Sequence, residues 1–323
     1  MKKTGKSLLN DPKTSILRLL NKYGIFFVAI LLFVIASFLS PVFLTQKNLI
    51  NVLRQVSVFA LLAYGETMLI IGGTIDLSVG SALALCGIIS IDSYMVTGNI
   101  FLGALSGIVL GGLIGAVNGY MVGYIGILPF ITTLAMDMAL RGLVLLYTGG
   151  QPIVDTGNFA IIGQGSLGPI PTPVIIMALM GIVTWYILKQ TTFGRKIYAM
   201  GGNVDAAIAS GINVKRTKFL NYIISGMLFG LGGVVLMSRL NSGIPTAGIG
   251  YHGEAISASI IGGASTTGGV GSVTGTITGT LIVGIITNIL SLTGVNAYIR
   301  DIVKGLIILA AVVLDMRSKK KKI

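Results

Sequence analysis

Ionisable groups set inside apolar runs are the residues of this chain best placed to do chemistry, because each is costly in hydrocarbon and marks a pathway or a pair. Glu66 stands in LLAYGETMLIIGG with no basic residue near it on its own helix, so its partner belongs to another helix or to an aqueous path. Asp76 and Ser78, in GGTIDLSVGS, suit a helix N-terminus, where an acid and a hydroxyl satisfy free backbone N–H groups. Asp137 and Arg141 stand four apart with the acid first, the favourable order for an ion pair within one helix, and they read as a mutual structural pair. If Glu66, Asp76 and Glu254 titrate, they suit an ion- or proton-coupled carrier.

Other chemistries find no residues to perform them. His252 is the one histidine and Cys86 the one cysteine, so neither a metal cluster nor an intramolecular disulfide is expected. Gly5, Lys6 and Ser7 resemble the end of a phosphate-binding loop, but the loop's first glycine would fall before Met1 and no strand precedes it. There is no G-x-S-x-G and no H-E-x-x-H, which leaves a membrane-embedded enzyme without a catalytic cluster. No catalytic residue, no metal and no cofactor held by this chain are expected.

The elements that position these groups belong in lipid. The chain has 323 residues, 53% of them hydrophobic and only 10% charged, with 46 glycines and a mean hydropathy of +0.90. A net charge of +13 would suggest nucleic acid in a soluble protein, but the basic residues gather at the two ends and in one loop, where they orient a membrane chain instead. With about 20 apolar residues needed per crossing, the sequence predicts an all-α polytopic protein with ten spans. They lie at 25–45, 53–72, 78–97, 100–122, 126–147, 173–189, 219–238, 253–268, 272–293 and 299–315. The eighth is short and rich in Gly, Ser and Thr, and is open to being re-entrant or broken. The first reads as a retained span, since SFLSPVF offers no small-residue cleavage site. A cytoplasmic basic tail over 1–24, a membrane-spanning domain over 25–315 that carries the loop 189–218, and a second basic tail over 316–323 complete the expected division. An even count places both termini and the loop 189–218 in the cytoplasm, and leaves 148–172 and 239–252 as the main external segments.

The loop 189–218 holds Lys189, Arg195, Lys196, Lys215, Arg216 and Lys218 against one acid, Asp205. Within it DAAIASG, Asp205 to Gly211, predicts a short helix with Asn203 as N-cap and Gly211 as the glycine at C′. Such a surface helix with small exposed side chains is one another protein can approach closely.

Glycines punctuate the spans. Those at 103, 107, 111, 115, 119 and 123 put one smooth groove along the fourth span, and Gly271, Gly275 and Gly279 with Gly226 and Gly230 repeat the device. An internal echo pairs Gly65, Glu66, IIGG at 70–73 and VGS at 79–81 with Gly253, Glu254, IIGG at 260–263 and VGS at 270–272. Duplicated halves with broken helices are a device of transporter cores, and the echo leaves open whether the copies run parallel or inverted.

DAAIASG, with FGRKIYAMGGN before it and GINVKRTK after it, resembles the coupling segment of bacterial ATP-binding-cassette importer permeases. GGTIDLSVGS, FGRKIYAMGGN, IPTAGIGY and IIGGASTTGGVGSVTGT together resemble the ribose-type carbohydrate permeases, over nearly the whole chain from Pro41 to Asp315. The importers' general coupling pattern begins Glu-Ala-Ala with a glycine four residues beyond the last Ala. Asp205, Ala206, Ala207 and Gly211 occupy those places, with aspartate for glutamate and without the closing Ile-x-Leu-Pro.

The resemblance implies the permease subunit of a small-sugar importer in a bacterial plasma membrane, working by alternating access as a homodimer or paired permease. Its partners would be two cytoplasmic ATPase modules on a separate chain, which hold the ATP and Mg, and an extracytoplasmic sugar-binding protein. It assigns ATPase coupling to Gly194, Arg195, Asn203, Asp205, Ala206, Ala207 and Gly211. An uncharged sugar would want hydroxyls, amides and small residues along its path, which nominates Ser78, Ser81, Thr266, Thr267, Ser272 and Asn288 beside Glu66 and Asp76. The rival is the self-contained carrier, which explains the acids but not the coupling segment.

Overall fold

The computed structural model describes residues 12–154 and 156–320. The chain before Pro12, with Gly5, Lys6 and Ser7, lies outside the described residues, as do Asp155 and the tail's Lys321 and Lys322. The chain begins with α1 (Pro12–Leu39), α2 (Gln46–Ile71), α3 (Val79–Thr97), α4 (Ile100–Tyr120) and α5 (Pro129–Thr148). A short α6 (Ile161–Gln164) and a two-stranded hairpin, β1 (Ser166–Leu167) with β2 (Ile170–Pro171), lead to α7 (Thr172–Gln190). Then come α8 (Thr192–Gly202), α9 (Val204–Ala209), α10 (Val214–Leu240), α11 (Tyr251–Ile261), α12 (Val273–Leu292) and α13 (Ala297–Lys320). A π-turn, Met121–Ile125, continues α4.

Among the described residues seven helices are long and apolar enough to cross a membrane: α2, α3, α4 with its π-turn, α5, α7, α10 and α12. α1 carries a shorter apolar stretch, Gly24–Leu39. It stops before Pro41, which lacks an N–H and keeps Ser40 out of the helical region, so the helix ends short of the expected residue 45. α2 then starts earlier than expected, with the Thr45 hydroxyl accepting from Asn48 N as its N-cap. The stretches expected as tails are helical where described, in α1 from Pro12 and in α13 to Lys320. The eighth expected span contracts to α11, whose 11 residues reach about 16 Å, half of a hydrocarbon core.

The glycine stripe of α4 packs against α10. Gly111 faces Gly226 and Gly230, Gly115 faces the Tyr222 carbonyl, and Gly123 faces that of Lys215, so the two helices run antiparallel with their backbones touching. A side chain at Gly111 would collide with the Gly226 carbonyl. Gly275 and Gly279 of α12 likewise face Gly262 and the Ala258 carbonyl of α11.

The same contacts set the levels of the helices. Leu83 and Gly87 of α3 pack on Gly233 of α10, so α3 begins roughly 20 Å along α10 from Val214, in the middle of the bundle. Tyr251, at the start of α11, packs on Phe59 midway along α2, with ring centroids 4.8 Å apart and the rings tilted by 57°. Gly80 and Gly248 meet backbone to backbone between them. The N-termini of two interrupted helices therefore converge inside the protein, α3 running towards one end of the bundle and α11 towards the other.

The internal echo has a local structural counterpart. After α2, Gly73 N donates to Ile70 O at 3.0 Å and Thr74 N to Leu69 O at 2.9 Å; after α11, Gly263 N donates to Ile260 O at 2.8 Å and Ala264 N to Ser259 O at 2.9 Å. Gly73 and Gly263 take the left-handed conformation that this cap requires, with φ of 76° and 88°. The two copies run side by side in the same direction, with Ser259 donating to the Ala63 carbonyl and Thr67 donating to Ser259 at 2.9 Å. They part at the next helix: Ser272 caps α12 through Gly275 N, whereas its counterpart Ser81 lies inside α3 and donates its hydroxyl to Asp137.

Candidate functional site: a polar centre between two interrupted helices

The break between α2 and α3 folds back on α2. Asp76 N donates to Glu66 Oε1 at 3.2 Å, and Asp76 Oδ1 accepts from Ser78 N at 2.7 Å and from Ser78 Oγ at 2.6 Å. Asn118 of α4 donates to Asp76 Oδ2 at 3.0 Å and to Ser78 Oγ at 3.1 Å. Glu66, Ser78 and Asn118 are fully buried and Asp76 nearly so. The acid and hydroxyl expected to cap α3 sit at its N-terminus, where the helix dipole favours negative charge, but the Ser78 hydroxyl makes no cap bond to the α3 backbone and Asp76 takes the N–H of Ser78 instead. α10 holds the break from the other side: Tyr222 Oη donates to Ile75 O at 2.8 Å, Asn221 to Met68 O at 2.9 Å and Ser225 to Gly65 O at 3.0 Å.

α5 fastens both converging N-termini. Asp137 accepts from the Ser81 hydroxyl of α3. Arg141 donates to the carbonyls of Pro245 at 2.5 Å and Ala247 at 3.0 Å, in the segment that leads into α11. The expected ion pair between Asp137 and Arg141 is thus replaced by separate partners. Their four-residue spacing puts both on one face, but a guanidinium fork meets unpaired carbonyls there, and the carboxylate a hydroxyl donor. Among the described residues the salt bridge is elsewhere: Lys304 Nζ of α13 lies 2.5 Å from Glu254 Oε1 of α11.

Beside the polar centre lies a cleft of about 320 Å³, lined by Gly73, Thr74 and Ile75 of the first break, Leu128, Pro129 and Phe130 at the start of α5, Ile256 and Ile260 of α11, and Thr266 of the second break. Its size falls at the lower end of small-molecule sites, and its lining is apolar with a few hydroxyls. Of the residues nominated for a path, Glu66, Asp76 and Ser78 come together at the polar centre, Ser81 lies one turn further along α3 with its hydroxyl on Asp137, and Thr266 lines the cleft. Thr267 shares a hydroxyl–hydroxyl hydrogen bond with Ser265 within its own loop at 3.0 Å, Ser272 caps α12, and Asn288 forms a reciprocal amide pair with Asn48 of α2 at 3.1 and 2.9 Å. Asn118 and Tyr222 carry little signal in the sequence. The available signal was one amide within a glycine-striped, otherwise apolar helix.

The loop 189–218 contains two helices rather than the single one expected. α8 is amphipathic and buries Gly194, Ile197 and Met200. Gly194 closes a tight corner with α7, its N–H donating to the Thr191 hydroxyl at 3.0 Å, and Arg195 is exposed. Asn203 caps α9 by accepting from Ala206 N at 2.9 Å. Gly211 follows α9 with φ 77°, donating to Ile208 O, while Ile212 N donates to Ala207 O. Ala207 anchors α9 inward, and Asp205, Ala206, Val204 and Ile208 face outward.

These features define an all-α polytopic membrane protein with interrupted helices at its centre and a helical loop at one end. Residues 48–312 match the family described as branched-chain amino acid transport system / permease component. The chain is 44% identical over 308 residues to the ribose import permease protein of Bacillus subtilis, covering 93% of this chain and 94% of that one. It is 43% identical over 296 residues to the ribose import permease of Escherichia coli K12, covering 90% and 92%. To the D-allose transport system permease of the same strain it is 38% identical over 303 residues, covering 93% of each chain. No solved structure gives a significant match. The chain belongs to this permease family: it is the permease subunit of an ATP-binding-cassette importer, a transport component rather than an enzyme, and not the self-contained carrier.

Proposed function

We propose that this chain forms the translocation path for ribose or a closely related monosaccharide. The observation that carries the reading is the end-to-end identity with ribose import permeases, higher than that with the allose relative. The substrate class follows from these relatives in preference to the amino acids named in the family's description. The cleft beside the polar centre supports it. Thr74 and Thr266 bring hydroxyls to an otherwise apolar wall, suited to an uncharged polyol.

In this reading the chain crosses a bacterial plasma membrane ten times if α11 and its lead-in segment count as one crossing. Both ends and α8–α9 are cytoplasmic, 1–24 and 316–323 are tails, and 25–315 is the permease domain. A cytoplasmic ATPase, which binds ATP and Mg, docks on α9 around Asp205, Ala206 and Gly211, with Gly194, Arg195, Asn203 and Ala207 shaping that surface. A sugar-binding protein docks over the external segments, and a second permease copy completes the pathway. Glu66, Asp76, Ser78 and Ser81 hold the converging helix ends that border the path, with Thr267, Ser272 and Asn288 supporting neighbouring turns.

The test is genetic. Expressed in a bacterium that lacks its own ribose permease but keeps the cognate ATPase and binding protein, the chain should restore growth on ribose more fully than its expression in the matching deletion strains restores growth on allose or arabinose. Growth restored only on another sugar would reassign the substrate.

A further inference from the structure

The last turn of α8 is wedged between the two breaks that border the cleft. Gly201 lies against the Ile71 carbonyl at the end of α2 and against Gly269 in the break after α11, and a side chain at Gly201 would collide with both. Gly268 and Gly269, with φ of 83° and 73°, press their backbones on Gly201 and Gly202. The breaks are also tied to each other, because Gly269 N donates to Ile71 O at 2.8 Å. One turn earlier, Tyr198 Oη donates to Gly271 O at 2.8 Å, and Met200 packs under Gly72.

Contact through bare backbone leaves no flexible side chain to absorb a displacement, so a shift of α8 must be followed by both breaks. The same two breaks carry Gly73, Thr74, Ile75 and Thr266 of the cleft wall. We propose that Gly201 and Tyr198 are positioning residues that lock the last turn of α8 to both breaks, so that the two breaks move as one body when the ATPase moves α9. Neither residue touches sugar or nucleotide; they act by coupling the docking surface to the cleft. The proposal rests on the reading that α9 meets the ATPase.

The experiment uses the permease assembled with its ATPase in proteoliposomes, with loaded binding protein inside the assay, and reads sugar uptake and ATP hydrolysis together. Gly202→Ala is the control on the same turn, because a side chain there meets open space. Gly201→Ala forces α8 away from both breaks and should lower uptake by about tenfold or more. ATP hydrolysis stimulated by the binding protein should persist, so that ATP consumed per sugar rises. Tyr198→Phe keeps the ring and removes one hydrogen bond, and should lower uptake per ATP by about fivefold. Gly202→Ala should match the wild type. If Gly201→Ala does not co-purify with the ATPase, Tyr198→Phe decides alone. Wild-type uptake per ATP in assembled Tyr198→Phe and Gly201→Ala complexes would overturn the proposal, as would equal loss in Gly202→Ala. Failure of the underlying reading shows differently: the wild-type permease would not bind or couple to the ATPase at all.

Discussion

Asp76 N–H donates to Oε1 of Glu66 at 3.2 Å, tying the chain after the first break back to the helix it has just left. The bond needs an acceptor at residue 66 and nothing more. Glu66→Gln keeps that acceptor, so ATP-driven uptake should stay within about twofold of the wild type in reconstituted complexes. Glu66→Leu strands a buried N–H, at a cost of about 1–3 kcal/mol, and should lower the unfolding temperature in detergent. Abolished uptake in a correctly assembled Glu66→Gln complex would mean that the carboxyl itself takes part in transport.

Glu254 and Lys304 join the half-length α11 to α13 with Nζ 2.5 Å from Oε1, and Glu254 is only 9% exposed in its side chain. Lys304→Met should leave a buried carboxylate unpaired and destabilise the protein by about 3 kcal/mol. Adding Glu254→Gln should recover most of the loss, a coupling visible in a double-mutant cycle of thermal unfolding. Equal, additive losses from the two changes would show that the pair carries no interaction energy.

Asn203 and Gln164 are both exposed, at opposite ends of the helix bundle. With Cys86 replaced by alanine, a cysteine at Asn203 should react with a membrane-impermeant thiol reagent only after the cytoplasmic face is opened. A cysteine at Gln164 should react in intact spheroplasts. Labelling of both from one side would contradict the placement of α8 and α9 in the cytoplasm.

Much of the architecture was legible because backbone geometry writes itself into sequence with a period or a fixed spacing. The four-residue glycine stripe announced the seam of α4, whose partner proved to be α10, and Asn203 and Gly211 announced the ends of α9. What stayed hidden depends on partners far away in sequence. The spacing of Asp137 and Arg141 places them on one face of α5 but says nothing of Ser81 or Pro245, which claim them in the fold. The sequence of α8 resembles a polar loop because its buried residues, Gly194, Ile197 and Met200, are separated by Arg195, Lys196, Tyr198 and Ala199. The meeting of Gly80 with Gly248 has no local signal at all, since either glycine alone fits any turn. The polar centre was therefore half legible: Glu66, Asp76 and Ser78 stood out by type, whereas Asn118 and Tyr222 join them only through tertiary packing.

The central claim is that this chain is an ATP-driven path and not a carrier powered by an ion gradient. The most direct measurement is ribose uptake into proteoliposomes holding the permease and its ATPase, with and without ATP, and with and without a protonophore. The account predicts uptake that requires ATP, the ATPase and the binding protein, and that the protonophore leaves unchanged. Uptake by the permease alone, driven by a proton gradient and abolished by the protonophore, would contradict it.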